Sequence, residues 1–315
     1  MWGRAELRGA ALALGGVLAI VLFITSSSPG LPGELLLQTL RFHLVALGLV
    51  LALAMALLGA RWRAAMFTVV LAIAFAHGAY YLWEFQSRRD APQGPLQAEM
   101  TLLSYNVLSA NRTAEDAVRY IIETAPDVAL IMETPGVSGY LPAIGTVLPY
   151  RLGCEMAVTC DISLFSRHPI EAGEIRPLPP FRRARLVIAP MTIDGAKVTV
   201  VGVHLSKPYF DEASVAELAY LRWVLAEIEG RVILAGDFNS APWTGPMARL
   251  GRLQDLVSAG NYPATWPVPF GPLGVPIDNV FTRGDARILE LAAGEDSHGS
   301  NHRLLLARIG LYGAS

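Results

Sequence analysis

Three long apolar runs open the chain, Gly9 to Thr25, Phe42 to Ala60 and Ala64 to Trp83, and each is nearly free of charge. At about 17–25 residues, a run of this kind predicts a helix able to cross a bilayer. Trp62 and Trp83 stand at run ends, as interfacial aromatics do. Arg4 and Arg8 precede the first run and Arg61 and Arg63 separate the second from the third, so the basic residues place both points on the cytoplasmic side. Three crossings then carry everything after Trp83 out of the cytoplasm, against the weaker vote of Arg88 and Arg89. The first run also fits a cleaved signal segment, which leaves the rest of the chain on the same side. Residues 88–98, RRDAPQGPLQA, predict a linker.

From Glu99 the pattern changes to short apolar stretches of strand type, each closed by one polar residue. Met100 to Val107 predicts a strand ending near Asn106. Thr113 predicts the cap of a helix with Val118, Ile121 and Ile122 inward and Pro126 as its end. Asp127 to Met132 predicts a strand that delivers Glu133, and Ile162 to Ser166 and Leu186 to Ile193 are two more. Lys197 to Leu205 carries His204 near its end. Asp211 to Glu229 predicts a helix with Val215, Leu218, Leu221, Trp223 and Leu225 on or near its inner face. Ile233 onward, ILAGDFNSAP, predicts a strand that stops at Asp237 and Asn239, two apart and on one side. Ala264 to Pro276 predicts a surface loop, Ile277 to Thr282 a strand with Asp278 at its start, and Ser300, Asn301 and His302 precede the last strand.

Composition sharpens the division. The chain is 53% hydrophobic and 17% charged, greasier than an ordinary soluble domain, and the excess sits in the first 87 residues. From Asp90 onward 18 basic and 24 acidic side chains leave a net charge of −6, which argues against a dedicated nucleic-acid-binding surface. Only Lys197 and Lys207 among 25 basic residues are lysines, a usage that fits a GC-rich, bacterial genome. The two cysteines, Cys154 and Cys160, are six apart in a loop-like stretch and predict a disulfide in an oxidising compartment. His298 and His302 have helix-type zinc spacing but lack the intervening Glu, and Gly299-Ser300 opposes a helix. Arg182, Arg183 and Arg185 read as a strand edge. Trp243 and Trp266 fall in loops near the polar strand ends.

Asn106, Glu133, His204, Asp237, Asn239, Asp278, Asn301 and His302 each have a plain structural explanation as caps, turns or core imidazoles. Their recurrence at successive strand ends is how an α/β enzyme assembles a site. The ordered motifs YNV, DVALIMET, VHLSKP, AGDFNSAP, PIDNVF and GSNHRLLL, spread over about residues 99 to 311, resemble the endonuclease/exonuclease/phosphatase superfamily. The resemblance implies a four-layer α-β-β-α sandwich of two packed mixed β-sheets, here preceded by three transmembrane helices (1–87), a linker (88–98) and a catalytic domain at 99–315. It implies a metal site at Glu133, Asn106 and Asn301 for Mg²⁺ or Mn²⁺. It further implies Asp237 as the residue that deprotonates water, Asn239 as a phosphate-oxygen ligand, His204 and His302 as the phosphate-binding pair, and Asp278 as the partner of His302. The family usually carries Asp where this chain has Asn301, an uncharged oxygen that implies weaker metal binding and disfavours a second ion. Leu108 replaces an acid found in some nucleases, and Asn279 stands where His is common. The expected activity is that of a membrane-anchored, metal-dependent nuclease-type phosphodiesterase with a periplasmic catalytic domain on a multi-pass inner-membrane anchor. The alternatives are a hydrolase of phospholipid headgroups or small phosphoesters, and a non-catalytic binding module.

Overall fold

The computed structural model describes residues 3–89, 92, 94–155, 160–209 and 211–313. Of the expected linker, Asp90, Ala91 and Gln93 lie outside the described residues. So do Met156 to Thr159 of the cysteine loop and the last two residues of the expected catalytic domain.

The chain begins with four helices: α1 (Arg4–Ser27), the short α2 (Glu34–Thr39), α3 (Arg41–Leu57) and α4 (Arg61–Ser87). Leu22, Met55, Phe67 and Leu71 pack α1, α3 and α4 together. Arg4 Nη2 donates to the Leu57 carbonyl at 3.0 Å, so the start of α1 lies beside the end of α3. α1 and α4 are long and apolar enough to cross a membrane, whereas α3 has 17 residues and is shorter. Three such helices were expected. The second run loses its last residues because the chain turns at Gly59, which sits at φ 95°. Large apolar side chains cover the outer surface of the bundle, among them Phe23, Val50, Leu57 and Ile73.

The remainder follows in chain order as β1 (Leu96–Asn106), α5 (Ala114–Thr124), β2 (Val128–Met132), α6 (Leu141–Ile144), β3 (Tyr150–Leu152), β4 (Ile162–Ser166), β5 (Glu174–Leu178), β6 (Arg183–Ile193), β7 (Ala196–His204), α7 (Asp211–Ala226), β8 (Val232–Asp237), α8 (Gly245–Leu253), β9 (Val257–Ser258), β10 (Asp278–Arg283), β11 (Ala286–Ala293) and β12 (Leu305–Tyr312). The strands form two mixed six-stranded sheets, ordered β11-β12-β1-β2-β4-β3 and β5-β6-β7-β8-β10-β9. Alternate residues of each strand meet between the sheets, with Leu102, Leu130 and Leu164 facing Val187, Val200, Ile233 and Val280. The outer face of the first sheet buries Leu103 and Tyr105 against Ile121 of α5 and Ile144 of α6. The second buries Leu234 and Phe281 against Leu221 and Leu225 of α7 and Met247 and Leu250 of α8. The result is an α-β-β-α sandwich.

Three departures from the sequence reading concern packing. In α7, Leu218, Leu221 and Leu225 are buried, but Val215 and Trp223 are exposed because they fall off the buried stripe. β1 begins at Leu96, so it takes the last three residues of the expected linker, and Leu96 pairs with Tyr312 of β12. Arg88 and Arg89 are fastened to the sandwich, with Arg88 Nε donating to the Leu256 carbonyl and Arg89 Nη1 to that of Ala259. Cys154 and Cys160 are joined as a disulfide with Cα atoms 4.9 Å apart.

Candidate active site

Strand register brings the polar residues together. In the second sheet β7 runs parallel to β8 and β10 runs antiparallel to it, so His204, Asp237 and Asp278 stand side by side at one end of three neighbouring strands. In the first sheet Asn106 pairs with Met132, which places Asn106 next to Glu133, and the Ser300 hydroxyl donates to the Asn106 carbonyl at 2.6 Å, which brings His302 to the same end. The two sheets thus contribute three side chains each. Gly236 is required by this alignment. It sits at φ 138°, and a Cβ there would lie 1.9 Å from the Val203 carbonyl oxygen. Glu133 (φ 54°) and Asn239 (φ 49°) both adopt the left-handed backbone conformation, a cost that structures retain where a side chain must be aimed.

Asp237 is fully buried at the centre. Its Oδ2 lies 3.7 Å from His204 Nε2 and 3.8 Å from His302 Nε2. Each imidazole is backed by a carboxylate on its other nitrogen, His302 Nδ1 by Asp278 at 2.9 Å and His204 Nδ1 by Asp161 at 2.6 Å. The backing carboxylates fix both rings so that Nε2 faces inward. Asn106 Nδ2 donates to Glu133 Oε1 at 3.3 Å and to Asp237 Oδ2 at 3.1 Å, while its Oδ1 accepts from Leu108 N–H. Asn106 therefore bridges two carboxylates, and a cation drawing on its oxygen needs the amide turned over. Asn239 N–H donates to Asp237 Oδ1 at 2.8 Å and its side-chain nitrogen donates to the Leu205 carbonyl. Asn301 is exposed on the cavity wall.

The electrostatics follow from burial and neighbours. Burial and the nearby charge of Asp278 push the Asp237 carboxyl above its ordinary range, against the pull of His302 and His204. His302 loses affinity for its proton through burial but gains more from Asp278 and Asp237, and ends up raised to about 9. Burial raises Glu133, but hydrogen bonds from Ser109 and the charge of His204 outweigh it and hold its carboxyl below the usual range.

Asp161 and Arg185 escaped the sequence reading. Arg185 Nη2 donates to Asp161 Oδ1 at 3.2 Å, so this arginine, expected as a plain strand edge, supports the carboxylate that orients His204. Asp161 stands immediately before β4, so the rule of one polar residue at each strand boundary extends to it. Trp243 is buried and its indole N–H is shared by the carbonyls of Gln38 and Thr39, while Trp266 lines the cavity. His298 stands apart, its ring 4.6 Å from that of Tyr120.

Ligand-type atoms of Asp237, Asp278 and His302 all lie within 4.8 Å of one another. Asp278 Oδ1 is buried without a hydrogen-bond partner. A buried, acid-rich donor set with an unused carboxylate oxygen fits a hard divalent cation. A cavity of about 350 Å³ opens onto these groups.

A profile of the Endonuclease/Exonuclease/phosphatase family matches residues 103–302. The chain belongs to this family. A search of curated proteins by sequence gave no significant match. Among solved structures, humanized D. rerio TDP2 carrying 14 mutations superposes with a TM-score of 0.57 at 19% identity, covering 67% of this chain and 98% of that one. The Bacteroides vulgatus endonuclease/exonuclease/phosphatase gives 0.56 at 15% identity, covering 68% and 99%. Sphingomyelinase C from Streptomyces griseocarneus gives 0.51 at 19%, covering 68% and 99%. At these identities the superpositions establish the fold. Family membership and the buried Asp/His cluster make the chain a phosphoester hydrolase of the endonuclease/exonuclease/phosphatase type.

Proposed function

We propose that the protein is a divalent-metal-dependent phosphodiesterase held in a membrane by α1, α3 and α4, with its catalytic sandwich outside the cytoplasm. The observation that carries the chemistry is Asp237 Oδ2 lying between two inward-facing imidazole nitrogens, each braced by its own carboxylate. Asp237, raised by burial, is suited to take a proton from the attacking water. His302 is protonated at neutral pH, and an imidazolium fixed by Asp278 donates to the oxygen on which charge accumulates. His204, fixed by Asp161, faces the same space from the other side, and Asn239 ties the end of β8 to the Leu205 carbonyl. Glu133, Asn106 and Asn301 are the residues assigned to hold Mg²⁺ or Mn²⁺, with Asp237 and Asp278 within the same acidic cluster. The ion supplies Lewis-acid stabilisation of phosphate charge.

The membrane reading rests on the apolar outer surface of the bundle and on its path. α1 and α4 both end beside the sandwich, Ser28 near Gly245 and Phe85 within the core. On this reading α3, whose end lies beside Arg4, is the return leg and the third crossing despite its shorter length. Arg4 and Arg8 open α1 and Arg61 and Arg63 open α4, both at the bundle end away from the sandwich, where Arg4 meets the end of α3, and the disulfide suits an oxidising compartment. The relatives' names include both a TDP2 solved with a single-strand DNA product and a sphingomyelinase, so a nucleic-acid or a lipid phosphodiester is the choice of substrate.

The test is turnover of bis(p-nitrophenyl) phosphate by the detergent-solubilised full chain. EDTA should abolish it and Mg²⁺ or Mn²⁺ restore it. Asp237→Asn should lower kcat by about 10²–10⁴-fold with the thermal midpoint retained. Full activity in EDTA or in the variant would overturn the assignment.

A further inference from the structure

The catalytic cavity is walled on one side by the membrane anchor itself. Leu36, Thr39 and Leu40 of the α2 segment line it together with Asp237, Asn239 and His302. α2 is fixed there rather than draped. Gln38 Oε1 accepts from Gly245 N–H at 2.8 Å, Thr39 Oγ1 from Ala241 N–H, and the Trp243 indole binds the Gln38 and Thr39 carbonyls. All of these partners lie in the segment directly after Asp237 and Asn239. With Gln38 and Thr39 turned onto that segment, α2 leaves Leu36 and Leu40 half-buried toward the cavity. Val275, Ile277 and Trp266 continue the apolar lining.

The loop that supplies those three residues also sits at the head of the bundle. His43, in the first turn of α3, hydrogen-bonds the Leu273 carbonyl at 2.7 Å. Beside it, Phe270 is 63% and Leu273 75% exposed. Two bare apolar side chains level with the start of a membrane helix belong at a lipid surface rather than in water.

Resting on the hydrolase reading above, the geometry points to a phosphodiester lipid of the surrounding membrane as the substrate, its phosphate at the Asp/His cluster and its apolar part along Leu36 and Leu40. Water adds to phosphorus, one P–O ester bond breaks, the departing alcohol oxygen takes a proton, and a phosphate monoester remains. A polynucleotide fits poorly. Among the described lining residues Lys207 is the only lysine or arginine, whereas a nucleic acid presents a run of phosphates that needs several.

The experiment uses the full chain in mixed micelles with Mg²⁺ or Mn²⁺ and compares three esters: phosphatidylglycerol, a short single-stranded oligodeoxynucleotide and bis(p-nitrophenyl) phosphate. The expected result is turnover of phosphatidylglycerol at least tenfold above that of the oligonucleotide at equal ester concentration. Leu36→Glu and Leu40→Glu should each lower kcat/KM for the lipid at least tenfold more than for bis(p-nitrophenyl) phosphate, whose turnover reports a folded, metal-loaded centre. Phe270→Ser with Leu273→Ser, on the exposed loop, should raise the lipid KM in the same sense. Cleavage of the soluble ester and the oligonucleotide without the lipid overturns this inference and leaves the hydrolase intact, as does a lipid-to-soluble ratio that no variant moves. Silence on all three esters with either metal brings down the hydrolase reading and this inference together.

Discussion

Asp237 and His302 share an environment that holds protons when no cation is present. Burial and Asp278 raise Asp237, and the same acids raise His302 from 6.5 to about 9. The folded state then binds more protons than the unfolded chain between these values, so the stability of metal-free protein falls as pH rises. The His302 contribution is fully present below pH 6.5 and is lost as pH passes about 9. In EDTA, the thermal midpoint should therefore drop between pH 6.5 and 9.5, and His302→Gln should flatten that drop. A cation beside Asp237 favours its ionised carboxylate while His302 keeps its proton, so Mg²⁺ or Mn²⁺ should raise the midpoint less at acid pH, where protons compete for Asp237, than at neutral pH. A pH-independent midpoint in EDTA would refute the assignment. Asp161 acts through His204. Asp161→Asn should cost kcat roughly 10–100-fold, the scale on which partners that orient imidazoles act, with little change in KM and with Asp161→Glu recovering part of the loss. Asn106, Glu133, His204 and Asp237 were legible because each closes an apolar strand, and Asp278 and His302 because they stand in the ordered motifs PIDNVF and GSNHRLLL. Asp161 precedes β4 outside any of those motifs, and nothing local marks that Asp as the partner of an imidazole that lies 43 positions away in the sequence.

At the scale of elements, strand ends are the working parts, and β8 shows how little freedom they have. Gly236→Ala would force a methyl onto the Val203 carbonyl, 1.9 Å from the ideal Cβ, and would part β7 from β8 at the residues that align His204 with Asp237. Activity should vanish with a lowered melting midpoint, and an active, normally stable Gly236→Ala would show that the alignment is dispensable. The long buried strands were legible from their apolar runs. β3, β5, β9 and β11 were not, because they are short or lie at sheet edges where polar side chains break the pattern. α2 was invisible for a different reason. Its six residues form no full amphipathic stripe, and its position is set by hydrogen bonds to the segment after β8, more than 200 residues away in the sequence.

For the whole molecule, the division into anchor, linker and catalytic domain that the composition suggests does not match how the parts are held together. Phe85, the last large residue of α4, is fully buried in the core of the second sheet, its ring stacked 5.1 Å from Phe281 and packed beside Phe238, which directly follows Asp237. Glu84 pairs with Arg252 of α8, and α2 closes the cavity. The N-terminal helices are thus part of the core that carries the site, and a chain begun at Asp90 would open a hole behind β8 and strip one wall from the cavity. Phe85→Ala in the full chain should cost about 3–5 kcal/mol of stability, and a chain truncated to residues 90–315 should aggregate or elute as an expanded species. A second truncation that begins at Arg61 keeps α4 and Phe85 but lacks α2, so it separates the two contributions. It should recover a cooperative melt and turn over bis(p-nitrophenyl) phosphate, while its turnover of phosphatidylglycerol stays at least tenfold below that of the full chain. A monomeric, cooperatively melting 90–315 fragment with full activity on both esters would show instead that the helices only tether the enzyme.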